Sequence, residues 1–268
     1  MSVPGFAPDW PAPPGVHALF TLRGQGADEG DSRGAHGFFN LGDHVQDKPA
    51  AVQANRERLR QQVQARPVFL QQVHGAQVQV LAAGTPDGAV ADAALTDQVG
   101  LACTVLVADC LPILLTDTRG RRVAAVHAGW RGLAGGVLER TLEQFMASAL
   151  AQSAPEAPEI RANEVMAWLG PCIGPQVFEV GAEVRAAFVA SDANAAACFA
   201  PHSDGKFMAD LPALARQRLA HWGVVQVYGN DSSPPWCTVG NPQRYFSYRR
   251  DQPRLGASGR MAACIWRA

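Results

Sequence analysis

A chain of 268 residues, 47% hydrophobic and 18% charged, is long enough for one large domain with a substantial core or for two small ones. With 23 basic against 24 acidic side chains, it lacks the basic excess by which a duplex-binding domain captures nucleic acid. No stretch approaches the roughly 18 uninterrupted apolar residues of a membrane-spanning helix, and residues 1–16 have neither the basic nor the apolar region of a signal peptide.

Residues 1–16 are proline-rich and read as an irregular lead-in. HALFTLR (17–23) is a short strand candidate. Residues 24–37, GQGADEGDSRGAHG, form a Gly/Asp/Ser loop long enough to be mobile or functional. A helix is predicted over 49–64, where Val52, Leu59 and Val63 are spaced for one face. Its basic run, 56–66, reads as the solvated side, so Arg56 belongs to the surface by default. From 67 to 127 the chain is strand-rich: PVFLQQV, AQVQVL, LACTVLVAD, PILLTD and RRVAAVH are short apolar or β-branched runs split by turn residues. A second helix is predicted over 133–150, then the loop AQSAPEAPEIRAN. EVMAWLG reads as a buried strand. GAEVRAAFVA and ADLPALARQRLAHW read as helices, and VVQVYG, RYFSYRR and RMAACIWR as late strands. No internal repeat or low-complexity linker divides the chain. Interspersed strands and helices specify a single mixed α/β (α+β) domain over 1–268, with packed mixed sheets and helices on the outer faces.

Six cysteines, at 103, 110, 172, 198, 237 and 264, form no CxxC pair. Without an export signal they read as reduced thiols in a reducing, cytoplasmic compartment. One of them belongs to a set of three candidate ligands: His74 in QQVHG, Cys110 in VADCLPILL and His127 in VAAVHAGWRG. Each is a borderline-soft donor suited to zinc or copper, and each stands at or beside the end of an apolar run. If the three converge, a fourth tetrahedral position stays open, the arrangement of a catalytic rather than a structural site. Residue type alone also allows a buried histidine, a buried thiol and a surface histidine that never meet.

After His127 a turn containing Gly129 and Gly132 leads into a helix. Unpaired amides at a helix start make an anion site, glycine lets an anion approach the backbone, and Arg131 adds a fork-shaped donor. The alternative is a plain strand-to-helix turn with Arg131 in solvent. Asp109 precedes Cys110 between two buried runs, where Pro112 is expected to break the strand. Asp109 can orient a metal-bound histidine, act as a general base, or be a turn residue bonding its own backbone. Cys172 and Glu179 lie in LGPCIGPQVFEVG, a loop that lines a site or forms a stiff turn. Arg249 and Arg250 in FSYRRD close over an anion or face water. The chain has no HxE…PCxxC deaminase set, no HExxH and no GxxxxGK[ST] loop, and no GxSxG elbow. Its seven histidines include no HxH pair, unlike the clustered histidines of a multicopper oxidase.

Taken together, QQVHG, ADAALT, ADCLPILL, AAVHAGWRG, LGPCIGPQVFEV and YFSYRRD resemble the YfiH family, also called the laccase-domain or peptidoglycan-editing-factor family. The motifs run in the same order over 40–267. The resemblance implies a single α/β domain and a zinc ion, or alternatively copper, held by His74, Cys110 and His127. It implies that Arg56, in the NR pair of the first helix, contacts substrate; Arg131 and Asn40 are placed with it on the substrate and phosphate side, and Asp109 with the catalytic groups. Family members are purine nucleoside enzymes. They phosphorolyse adenosine, inosine, guanosine and methylthioadenosine, and some deaminate adenosine. Older naming called them copper polyphenol oxidases, and some bacterial members are linked to editing of peptidoglycan precursors. The expected ligands are therefore purine nucleosides and phosphate, with no nucleic-acid or membrane partner, and the expected state is a monomer or weak homodimer. The first forty residues depart from the pattern, which bears on the side where substrate enters. An amide hydrolase of cell-wall precursors, a copper-dependent phenol oxidase and a zinc protein without catalysis are the competing readings.

Overall fold

Three of the apolar runs, Leu101–Val107, Leu111–Asp117 and Val123–Ala128, are buried at every position. A strand with nearly continuous hydrophobicity must be covered on both faces, and the architecture follows from that need. The computed structural model of the chain describes residues 2–147 and 159–268. In order, these form β1 (Gly5–Phe6), β2 (Val16–Thr21), α1 (Pro49–Val63), β3 (Arg66–Phe69), β4 (Val78–Val80) and β5 (Ala93–Thr96). The three buried runs follow as β6 (Leu101–Val107), β7 (Leu111–Asp117) and β8 (Val123–Ala128), then α2 (Trp130–Ala134), α3 (Val137–Met146) and β9 (Val165–Leu169). The last part comprises β10 (Glu179–Val180), α4 (Ala182–Val189), β11 (Phe199–Pro201), β12 (Phe207–Ala209), α5 (Leu211–His221), β13 (Gln226–Gly229), α6 (Tyr248–Leu255) and β14 (Met261–Arg267).

The strands make a five-stranded sheet, β1-β2-β14-β6-β3, a six-stranded sheet, β13-β9-β7-β8-β5-β4, and a small sheet, β10-β12-β11. Both large sheets are mixed: β3–β6, β4–β5 and β9–β13 pair parallel, and the other neighbours antiparallel. The alternation of side chains sorts residues into layers. Cys103, Val105 and Val107 of β6 meet Leu114, Ala125 and Trp168 between the two large sheets. Ala102 and Leu106 turn the other way, onto Leu59 and Val63 of α1. Ile113, Leu115, Ala124 and Val126 face Leu138 and Leu142 of α3 and Leu214 of α5. The molecule is a single mixed α/β domain with helices outside its packed sheets. Among the described residues, no helix is long and apolar enough to cross a membrane.

Several local expectations change. The helix predicted over 133–150 starts earlier and is split: Gly136 takes the left-handed conformation (φ 87°) and separates α2 from α3. Its expected end at 150 lies outside the described residues. RYFSYRR is not a strand. Tyr245 and Phe246 are buried in the inter-sheet core, and Ser247 caps α6, its hydroxyl accepting from Arg250 N (3.1 Å) while the Asp251 carboxylate accepts from Ser247 N (3.1 Å). These local bonds favour a helix start over strand alternation. Pro112 does not break a strand; it is the second residue of β7 and pairs with His127. The 24–37 loop is pinned to α1 by Asn55, which accepts from Asp31 N and donates to Ser32 Oγ.

Candidate metal centre and its cavity

The fold brings His74, Cys110 and His127 together. Strand β6 ends in the five-stranded sheet and β7 begins in the six-stranded one, so residues 108–110 step between sheets and carry Asp109 and Cys110 to their edge. His127 is the second-to-last residue of the neighbouring β8. The register Leu111↔Ala128 sets Cys110 beside Gly129. His74 arrives on the loop after β3, in a left-handed conformation (φ 59°) rare for a residue with a side chain. One ligand atom from each residue lies within 4.8 Å of the others. Cys110 Sγ is 3.7 Å from His74 Nε2, and the imidazole rings stand edge to face. A Cβ on Gly129 would lie 2.9 Å from both Cys110 Sγ and His74 Cδ2, so the cluster closes only over glycine.

A carboxylate that sequence reasoning did not single out organises the cluster. Asp92, fully buried in the ADAALT run, accepts from Val73 N (3.2 Å), His74 N (3.0 Å) and Gly75 N (2.7 Å). The same carboxylate lies 2.8 Å from His127 Nδ1, and its main-chain oxygen accepts from His127 N at 2.7 Å. With Nδ1 donating to Asp92, Nε2 of His127 is left for the cluster. Asp92 therefore takes the orienting role that was open to Asp109. The only signal in the sequence is an acid inside an otherwise apolar run.

The electrostatics suit a soft cation. Burial pushes the Cys110 thiol up, but the imidazoles of His127 and His74 outweigh it and bring it down to about 6. Burial lowers His127, yet Cys110 and Asp92 raise it to about 9. For Asp92, burial opposes ionisation; His127 and the loop amides hold the carboxyl below its ordinary value. A thiolate, two imidazoles and a carboxylate behind one of them fit zinc or copper in donor type and charge, and binding would displace a proton from the ligating side of His127.

The cluster opens into a cavity of about 550 Å³, within the range of small-molecule sites. Leu106, Ala108, Ile173, Phe178, Leu211 and Trp130 give it apolar walls, and Asp109 is the carboxylate that lines it. Asp109 has a left-handed backbone (φ 88°). Its oxygens accept from Thr238 Oγ1, Ser247 Oγ (3.1 Å) and Arg249 N (2.7 Å), and burial raises its pKa. Beyond the cluster, the positive lining comes from Arg131, Arg249 and Arg260, with the His44 imidazole beside them.

Two residues expected on the substrate side do not line this cavity. Arg56 does not line the cavity; it donates to Leu41 O (2.9 Å), pairs with Asp43 (3.2 Å) and lies 4.0 Å over the Phe69 ring. Asn40 is fully buried and bonded to Gly42, Asp47 and the backbone N of Arg260. Both brace the loop that carries His44. Arg131 does line the cavity, its guanidinium 4.4 Å over the Trp130 ring. Arg250 is paired with Asp251 instead. Cys172 is buried and bonded to Asn230, and Glu179 pairs with Lys206 at the surface.

Fold and site define a class: a single-domain α/β protein with a His–Cys–His cluster, spaced for a metal ion, in a small-molecule cavity at the edge of two packed sheets. The chain belongs to the YfiH family, whose model, described as multi-copper polyphenol oxidoreductase laccase, matches residues 17–268. It is 44% identical over 261 residues to purine nucleoside phosphorylase YfiH of Escherichia coli, covering 97% of each chain. It is 44% identical over 260 residues to a purine nucleoside phosphorylase of Pseudomonas aeruginosa, covering 97% and 96%. The solved structure of Neisseria meningitidis protein NMB0706 superposes with a TM-score of 0.84 at 45% identity over 98% of both chains. YlmD from Geobacillus stearothermophilus does so with 0.82 at 28% identity, over 96% and 93%. The similarity extends N-terminal to Asn40, beyond the stretch that the motifs alone cover.

Proposed function

We propose that the chain is a zinc-dependent purine nucleoside phosphorylase for adenosine, inosine, guanosine and methylthioadenosine, with adenosine deamination as a side activity. The supporting observation is one cavity that joins a three-donor metal cluster to apolar walls and unneutralised arginines. Relatives named purine nucleoside phosphorylases, similar along almost their whole length, support the same reading. His74, Cys110 and His127 would hold the ion, which when bound supplies Lewis acidity and a template at the sugar or base.

In phosphorolysis a phosphate oxygen forms a bond to the anomeric carbon of ribose. The bond from that carbon to the purine nitrogen breaks, and the purine leaves with the electron pair and takes up a proton. The chain's own part is to bind and orient. Ile173, Phe178 and Trp130 offer apolar surface to a purine ring, and the cavity arginines offer charge-assisted donors to phosphate. Asp109, as the lining carboxylate, is assigned the proton exchange with the purine.

Zinc-loaded protein given adenosine and inorganic phosphate should yield adenine and ribose 1-phosphate, identified by chromatography and phosphorus NMR. Without phosphate, only slow formation of inosine is expected. No nucleoside turnover, together with release of an amino acid from a muramyl peptide precursor, would replace this reading with that of an editing hydrolase.

A further inference from the structure

Beyond the metal cluster, three arginines and His44 line the cavity, and they are not equivalent. Arg131 is exposed and lies over Trp130. Arg249 is exposed and gives Nη2 to Glu179 O (3.2 Å). His44 is exposed and faces Asp43 at 3.5 Å. Arg260 differs in three ways. It is partly buried, and its backbone is clamped on both sides, N to Asn40 Oδ1 (2.8 Å) and O from Leu41 N (3.1 Å). Its side chain crosses Gly42 so closely that a Cβ there would lie 2.7 Å from Arg260 Cγ. Its guanidinium donates through Nη1 to two main-chain oxygens, Ser258 O (2.8 Å) and Gly259 O (3.1 Å); like Arg131 and Arg249, it forms no ion pair with a carboxylate among the described residues. A preorganised guanidinium at a cavity wall, steadied by neutral carbonyls rather than by a contacting carboxylate, is built for an incoming anion. Burial lowers its pKa; that of His44 is lowered by burial first and then by the charge of Arg260.

We infer that Arg260 is the principal donor to a phosphate group in this cavity, with Asn40, Gly42 and the NR pair of α1 as its scaffold. The inference rests on the phosphorylase reading for the identity of the anion. It turns the predicted contacts Arg56 and Asn40 into supports: Asn55 donates to Asn40 O (2.9 Å), Asn40 holds Arg260, and Arg56 holds Leu41 O. The group bound can be free phosphate or the phosphate of a sugar phosphate.

The test is direct titration of zinc-loaded protein with inorganic phosphate, ribose 1-phosphate and ribose, by calorimetry, in the unaltered chain and in Arg260→Gln, Arg260→Lys and Arg131→Gln. Arg260→Gln should weaken both phosphate compounds by at least about tenfold, with zinc content unchanged. Arg260→Lys should fall between, because it keeps the charge but loses the fork. In kinetics, Arg260→Gln should raise the KM for phosphate by a similar factor and that for adenosine by less than about threefold. Equal phosphate affinity in Arg260→Gln and the unaltered protein, or a larger loss in Arg131→Gln, overturns the inference. If the variants do not fold, the Arg260 guanidinium NMR signal of the unaltered protein decides: a shift on adding phosphate supports the inference and its absence overturns it. Phosphorolysis that ignores Arg260 sinks this inference alone. Phosphate binding through Arg260 without nucleoside turnover sinks the phosphorylase reading alone.

Discussion

Asp92 serves both histidines of the cluster at once: it fixes the ring of His127 and holds the left-handed turn at His74. Replacing it separates positioning from ligation. Cys110→Ala removes a ligand outright and should abolish most zinc binding. Asp92→Asn leaves all three ligands but cannot accept from every donor it faces; zinc affinity should fall about 10–100-fold. Competition with a chromophoric chelator reads both, and the spectrum of the cobalt-substituted protein should shift in Asp92→Asn while it keeps its thiolate band. Zinc affinity in Asp92→Asn equal to that of the parent would remove the positioning role. At this scale the three donors of the cluster were legible, because soft donors at the ends of apolar runs announce themselves. Asp92 was not, because its partners lie in two other segments. The surroundings of Arg56 and Asn40 were hidden for the same reason: their residue types suit an anion, but the partners they hold, Asp43, Leu41 O and Arg260 N, come from folding.

Among the elements, α6 shows how local bonds override a pattern. YFSYRRD alternates well enough to suggest a strand, but Ser247 caps a helix and also donates to Asp109, tying the start of α6 to the sheet-to-sheet step. Ser247→Ala should cost about 0.5–2 kcal/mol of stability, seen as a lower thermal midpoint. Because Arg249 N still holds Asp109, zinc content should stay at the parent level. Loss of zinc in that variant would mean that α6 braces the metal ligands as well. The division of α2 from α3 has a similar cause: Gly136, left-handed, ends one helical path and begins another. Its consequence for direction is not visible in hydrophobic periodicity.

For the whole molecule, the layer between the two large sheets should dominate stability. Leu114 is fully buried there among Val105, Ala125 and Trp168. Leu114→Ala should destabilise by about 2–5 kcal/mol, transfer and cavity terms together. Urea unfolding should show a lower midpoint with an unchanged slope; a changed slope would mean that the two sheets do not unfold as one unit. Sequence by itself determined the class of fold, the strands buried on both faces and the three soft donors, since hydrophobic periodicity and donor chemistry are properties of short segments. It could not decide which groups those donors meet. His127 and Asp92 are 35 residues apart, and Arg260 and Asn40 are 220 apart. Such pairings are set by strand register and by the crossing between sheets, so only the tertiary structure could decide which carboxylate orients the cluster and which arginine is clamped by its backbone at the cavity wall.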